Sequence, residues 1–314
     1  MNNVSTPSDP AFADLHLLTV LAETRSYTQA ARRLGISKAS ASGRIAELER
    51  VAGVPLVRRT TRSVGLTQAG QQLVDETRGA FERIAHSFAG IRDLAGSPRG
   101  LLRVSAPVAL GRQHIARILP AFLQQFPEIR LDLDLSDRFV HLAQEGFDVA
   151  IRHTQAPPET HVAWQLCPSR SLVVASADYL RRHGTPRHPS ELAGHACLAY
   201  LRQGASQGWT FERGAGRKAE RVVVNVEGPF RANNSEVLRD AVLAGSGIGL
   251  LPDFSAASHL GPRQLVALLP EWRPLGFFGD AIYAIRPWSP QVPRAVQCFV
   301  EHLRQSLQGG FALA

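Results

Sequence analysis

Within Asp14–Leu48 and again within Val74–Ala95 the apolar positions recur at spacings of three and four, and from Leu101 onward short apolar stretches alternate with helical ones. The chain therefore reads as mainly helical first, apart from one short β-rich stretch, and mixed α/β afterwards. Asp14 is placed to cap a helix whose Leu17, Leu18 and Leu21 share one face. Ser26 and Gln29 have capping-box spacing, with Thr28 a second candidate cap, and open a helix whose buried stripe is Ala30, Ala31 and Leu34. Gly35 supplies a left-handed stop, Ile36 plugs the turn, and Ser37 caps a third helix that packs through Ala41, Ile45 and Leu48. Its other face, Ala39, Ser42, Gly43 and Ala46, is left outward between Lys38 and Arg44. This is helix-turn-helix spacing, although an ordinary helical hairpin with a solvated face is written the same way. Residues 55–67 then read as a β-rich, arginine-studded hairpin, a wing.

Past Gly70, Val74, Thr77, Phe81, Ile84, Phe88, Ile91 and Ala95 form a heptad seam on a helix of about 25 residues. Such a seam needs a companion, either its own domain or the same helix of a second subunit. The run Gly96-Ser97-Pro98-Arg99-Gly100 ends it. Strands are expected at Leu101–Ser105, Ile129–Leu135 and Asp148–Arg152, with a helix marked by Ile115, Ile118, Leu119, Phe122 and Phe126 between the first two. A second unit follows, with strands near Leu172–Ser176, Arg221–Val226, Gly247–Leu251 and Leu265–Leu268, and a helix over about Ser235–Ala244. Asp280–Arg286 is a last strand, and Ser289-Pro290 is expected to open a closing helix with Val296, Phe299, Val300 and Leu303 inward.

A chain of 314 residues suggests two or three domains. No apolar run approaches the roughly 18 residues that a membrane helix requires. Met1–Pro10 is polar and reads as a disordered tail without the features of a secretory signal, so a cytoplasmic protein is expected. Cys167, Cys197 and Cys298 are odd in number and far apart, which supports neither a disulfide framework nor a metal site. Charge is more informative. Between Arg25 and Arg62 nine basic residues face two acidic ones, a local excess of seven in a chain whose formal charge is +8. Small outward residues let a helix sink into a major groove, where Lys38 can reach guanine or phosphate, Ser42 can bond either, and Ala39 can meet a thymine methyl. Lys38 is one of only two lysines, the other being Lys218.

The text from Leu15 to Gly70, LxxLxVLAExxSxTxAARRLxxSxxxxSxxIxxLExxxGVxLxxRxxRxVxLTxAG, resembles the winged helix-turn-helix of LysR-type transcriptional regulators. The resemblance implies DNA contacts by Lys38, Ala39 and Ser42 on the recognition helix and Arg59 and Arg62 on the wing, with Ser37 and Arg44 beside them. One departure is Gly43, where the family usually has Arg or Lys. It also implies a linker helix over residues 71–96 that pairs two subunits, a homodimer presenting two heads to two half-sites, and pairing of dimers into tetramers. Residues 101–306 resemble the family's effector domain, which is like a periplasmic binding protein. One lobe covers about 101–172 plus 276–306, the other about 173–275, with crossings near Leu172 and Leu275. The DNA-binding domain is then 11–70.

In open α/β sheets ligands sit beyond the carboxyl ends of strands, where helix starts and loop amides converge. The segments that obey this rule are Ser105-Ala106-Pro107-Val108, Arg152-His153, Tyr200-Leu201-Arg202 and Asn233-Asn234-Ser235. Ser105 and Ser235 are the expected hydrogen-bonding residues, and Arg152 or Arg202 the partner of a carboxylate. Asn234 or Ser235 capping its own helix, and Arg152 lying on the surface, are the plain alternatives. Gly245-Ser246-Gly247-Ile248-Gly249 follows a helix and enters a strand, the reverse of a dinucleotide fingerprint, so a tight turn explains it better. No nucleophile elbow, phosphate loop or metal-ligand spacing is present, and neither an enzyme nor a cofactor is expected. The sequence thus points to a DNA-binding transcription regulator modulated by a small-molecule effector. Weaker alternatives are an enzyme on a two-lobed scaffold and an architectural DNA binder with a filled crevice.

Overall fold

The computed structural model describes residues 10–59, 64–93, 97–138, 140, 142–201, 208–214, 216–276 and 278–311. Two compact units divide the chain, Met1–Ala89 and Gly90–Ala314. In the first, α1 (Phe12–Thr24), α2 (Tyr27–Leu34) and α3 (Lys38–Ala52) enclose a small core in which Leu17, Ala30, Ala41 and Ile45 are fully buried. Ser26 and Ser37 cap α2 and α3 by accepting from the amides of Gln29 (3.4 Å) and Ser40 (3.0 Å). Gly35, at φ +68°, makes the left-handed stop between them. Asp14 does not cap α1, which starts after Ala11; its carboxylate is instead drawn to Arg44 of α3 at 2.5 Å.

The wing pairs β1 (Val57–Arg59) with β2 (Val64–Leu66) in antiparallel register. Glu49 anchors it from α3 by accepting the amides of Leu56 and Val57 at 2.8 and 2.9 Å. Thr67 donates to Pro55 O and accepts from the Gly70 amide. A Cβ on Gly70 would fall 2.0 Å from Leu56 O, so the Leu-Thr-x-Ala-Gly stretch needs its glycine where α4 (Gln68–Asp93) passes the wing. The seam along α4 changes character with length. Val74 is wholly buried in the head's core and Phe81 stacks on His16, but Ile84 and Phe88 are 57% and 64% exposed. Ala95, the last seam position, and most of the tail read at residues 1–10 lie outside the described residues.

The second unit has two lobes. Lobe 1 runs through β3 (Gly100–Ala106), α5 (Val108–Leu110), a π-turn (Gly111–Ile115), α6 (Ala116–Gln125), β4 (Ile129–Leu135), α7 (Leu142–Glu145), β5 (Val149–Thr154) and β6 (His161–Pro168). Lobe 2 contains β7 (Ser171–Ser176), α8 (Ala177–His183), β8 (Cys197–Tyr200), β9 (Gly208–Arg213), β10 (Glu220–Asn225), β11 (Arg231–Ala232), α9 (Ser235–Leu243), β12 (Ile248–Pro252), α10 (Asp253–Ala256), β13 (Leu265–Leu268) and β14 (Arg273–Leu275). The chain then returns to lobe 1 as β15 (Ala281–Pro287) and α11 (Arg294–Leu307). Lobe 1's sheet has the order β4-β3-β5-β15-β6, and lobe 2's the order β11-β8-β12-β7-β13.

Alternation explains the packing of lobe 2: Val173, Ala175, Ile248 and Leu250 face one layer, Val174 and Leu251 the other. The first layer holds the fully buried Trp209 and Phe211 of a separate sheet, β10-β9-β14; truncating Trp209 to alanine would cost about 3–5 kcal/mol. The strand expected at Arg221–Val226 belongs to this small sheet. β6 escapes the sequence pattern because it is an edge strand with a bulge opposite Ile282/Tyr283 and ends on Pro168. The closing helix starts at Arg294, not at Ser289-Pro290, because Ser289 is used in a loop, accepting from Arg286 and donating to Gln291 O. The glycines at 245–249 serve a tight turn: Gly245 has φ +77°, and a Cβ on Gly247 would lie 2.4 Å from Ala196 O.

Candidate DNA-reading face and inter-lobe cavity

Capping and core packing fix the rotation of α3, and this leaves Ser37, Lys38, Ala39, Gly43 and Ala46 exposed, with Ser42 half-buried beside them. Gly43 has nothing within 4 Å of where a Cβ would stand and no left-handed backbone, so neither packing nor conformation requires glycine there. Arg44 is turned toward α1 and held by Asp14, which leaves it at the flank and not on the outward face. Arg59 ends β1; its side chain, and Arg62 altogether, lie outside the described residues.

In the second unit a cavity of about 540 Å³ opens between the lobes, within the range of roughly 300–1,000 Å³ usual for small-ligand sites. Of the residues in the expected strand-end segments, Pro107, Arg152, His153, Tyr200, Leu201, Asn233 and Ser235 line it. Ser105 and Ala106 are fully buried behind the wall, where the Ser105 hydroxyl accepts from Arg152 Nη2 at 2.8 Å. Val108 does not line the cavity; its amide is taken by Asp137 Oδ1 at 3.1 Å. Asn234 caps α9, accepting from the amides of Glu236 and Val237, both at 3.0 Å, and donates to Asp137 Oδ2. Arg202 lies outside the described residues.

Arg152 stands on β5 and reaches across to β3. Its other terminal nitrogen, Nη1, donates to Ile151 O at 2.7 Å, and no described carboxylate forms an ion pair with it. Burial pulls its pKa down to about 10, with Asp137 and Asp134 only partly restoring it. Arg138, also on the wall, is engaged differently, giving both terminal nitrogens to Glu145.

Asp137, Arg138, Phe254 and Phe278 line the cavity without having been singled out in the sequence. The first two follow the carboxyl end of β4 and obey the same strand-end rule. Phe278 lies on the return crossing, flagged only by the flanking Gly276 and Gly279.

Contacts between the lobes surround the cavity. The π-turn aims Arg112 and Gln113 at Glu236 of α9, each at 3.0 Å, and His114 Nε2 donates to Phe254 O at 2.8 Å. Burial lowers the His114 pKa, and the bond to Phe254 O opposes that shift. At the first crossing, Asp253 accepts from the Ser169 hydroxyl (2.6 Å) and the Arg170 amide (2.9 Å).

A basic head with an outward helix face, followed by a cleft between two α/β lobes, is matched by two family descriptions. Residues 12–71 match "Bacterial regulatory helix-turn-helix protein, lysR family", and residues 95–308 match "LysR substrate binding domain". The chain belongs to the LysR family. Among curated LysR-family relatives, the transcriptional regulator PtxR of Pseudomonas aeruginosa is 33% identical over 294 residues, covering 93% of this chain and 92% of PtxR. DmlR of Escherichia coli is 29% identical over 307 residues, 97% of this chain and 95% of DmlR. Among solved LysR structures, full-length AphB, the Vibrio cholerae virulence activator, has a TM-score of 0.60 at 27% identity, with coverage of 93% and 98%. CrgA of Neisseria meningitidis has 0.58 at 27%, covering 95% and 99%. The chain is a LysR-type transcriptional regulator with a helix-turn-helix DNA-binding domain and an effector-binding domain. LysR regulators bind DNA and small-molecule effectors, form oligomers, and are not in general enzymes. No described helix is long and apolar enough to cross a membrane.

Proposed function

We propose that this LysR regulator answers to a carboxylate effector held by Arg152 in the inter-lobe cavity. The observation that carries the reading is the guanidinium itself. It is desolvated, satisfied on each terminal nitrogen by one neutral oxygen, and paired with no described carboxylate, so an anion entering the cavity finds a cation whose burial is only partly compensated. Ser235, at the start of α9 and making no side-chain hydrogen bond to the described residues, adds a hydroxyl from the opposite lobe. Effector binding favours one relation of the lobes, and so one spacing of the subunits on DNA, as a population shift. The exposed Ile84 and Phe88 support a homodimer through α4, and pairing of such dimers into tetramers is part of the same proposal. Such a regulator works in the cytoplasm, beside the chromosome.

On DNA, Ser37, Lys38, Ala39 and Ser42 face the major groove, Arg44 borders it, and Arg59 and Arg62 follow the backbone from the wing. Filter binding to a cognate and a scrambled duplex over a salt series separates these roles. Ser42→Ala and Lys38→Ala each reduce discrimination by roughly 5–150-fold, corresponding to about 1–3 kcal/mol per lost base contact. Arg59→Ala weakens both duplexes alike and lowers the salt slope by about one. Equal losses on both duplexes for Ser42→Ala would remove its base-reading role.

A further inference from the structure

A carboxylate is only one end of a ligand, and the remaining wall of the cavity has a chemistry of its own. His153, on β5 in lobe 1, stacks on Phe278 of the return crossing with centroids 5.3 Å apart and planes within 2°. Tyr200, at the end of β8 in lobe 2, meets Phe278 edge-on at 4.9 Å, and Phe254 of α10 meets His153 edge-on at 5.6 Å. All four line the cavity. Gly279 makes this arrangement possible: its Cβ would lie 1.9 Å from Thr154 C and O, so only glycine lets the crossing press against the end of β5 and carry Phe278 onto His153. The other charges on the wall are committed, Arg138 to Glu145 and Asp137 to Val108 and Asn234. Among the described lining residues, Arg152 is the arginine left without a carboxylate.

We infer that the effector is a planar aromatic monocarboxylate, with its carboxylate on Arg152 and its ring against the shelf formed by Phe278, His153 and Tyr200. This rests on the carboxylate reading above and narrows it. A ring added to edge-on and stacked rings gains quadrupole-matched contact that a saturated ring of the same size does not. An aliphatic dicarboxylate would have to bury its second charge against that shelf, where the described lining residues offer it no second uncommitted arginine or lysine. An uncharged amide leaves Arg152 as it was. The shelf draws on lobe 1, lobe 2 and the crossing between them, so a ring seated on it touches every part that moves when the lobes shift, and occupancy favours the closed relation.

Calorimetry on the full-length protein with benzoate, 4-hydroxybenzoate, cyclohexanecarboxylate, benzamide and succinate tests this. The aromatic carboxylates bind; cyclohexanecarboxylate is roughly 3–10-fold weaker. Benzamide is weaker by at least about tenfold, and succinate gives no binding heat. Phe278→Leu retains carboxylate binding but erases the preference for benzoate over cyclohexanecarboxylate, and Arg152→Gln weakens benzoate by at least about tenfold. Should cyclohexanecarboxylate or succinate bind as tightly as benzoate and depend on Arg152, the aromatic inference falls and the carboxylate reading stands. Should no carboxylate bind, or should benzoate bind equally to an Arg152→Gln protein with a wild-type melting curve, both fall. If Arg152→Gln does not fold, the affinity order on the wild-type protein decides alone.

Discussion

Asp253 joins the first crossing to the start of α10, and its removal has a calculable effect. Its Oδ1 accepts from the Ser169 hydroxyl at 2.6 Å and from the Phe254 amide at 2.8 Å, while Oδ2 accepts from the Arg170 amide at 2.9 Å. Asp253 is 4% exposed and Ser169 5%, so solvent cannot replace these bonds. Hydrogen bonds to a charged group are worth about 1.5–3 kcal/mol each, but three losses at one carboxylate do not add in full. Asp253→Ala is therefore expected to cost about 3–5 kcal/mol, below the sum of three separate bonds. Ser169→Ala removes a single bond and should cost about 1.5–2.5 kcal/mol. In the double variant the serine has already lost its acceptor, so a double-mutant cycle should give a coupling of about 1–2 kcal/mol. Urea unfolding followed by tryptophan fluorescence reads this domain selectively, because Trp164, Trp209, Trp272 and Trp288 all lie in the second unit. A coupling indistinguishable from zero, with both single variants folded, would refute the view of Asp253 and Ser169 as one clamp.

Two further outcomes follow from the cavity and its surroundings. A carboxylate effector should bind with unchanged affinity from about pH 6 to pH 9, since a guanidinium whose pKa has fallen only to about 10 stays protonated and the ligand stays ionised. Calorimetry across that interval checks it, and a tenfold decline would assign the anchor to an imidazolium instead. Glu236→Ala should weaken the effector by roughly 5–30-fold, because losing the Gln113 bond and the solvent-discounted Arg112 pair costs lobe closure about 1–2 kcal/mol. An unchanged dissociation constant would show that these contacts do not bear on closure.

Local chemistry made the head legible. Ser26, Gly35 and Ser37 each act within one turn of the chain, so spacing alone located α2 and α3. Asp14 was misjudged for the same reason: as a cap it would act locally, but its partner Arg44 is thirty residues away. In the second unit, strands that are buried on both faces, such as β5 and β12, stood out as apolar runs, whereas β6, β9 and β14 depend on neighbours that no local pattern announces. The strand-end rule located Arg152, Tyr200 and Ser235 at the cavity but could not tell a lining residue from one just behind it, as with Ser105, nor a ligand contact from a helix cap, as with Asn234. Phe278 was beyond reach, because its place is set by a crossing whose path depends on how Gly279 meets Thr154.

Gly43 leaves a vacant socket on the outward face of α3, open on all sides and with an ordinary right-handed backbone. A Cβ meets nothing there, and replacing a mid-helix glycine with alanine typically strengthens the helix by about 0.5–1 kcal/mol. On the proposed docking of α3 in the major groove, a lineage carrying this protein samples new operator preferences at this position one codon at a time, where novelty comes with added sturdiness instead of a folding defect.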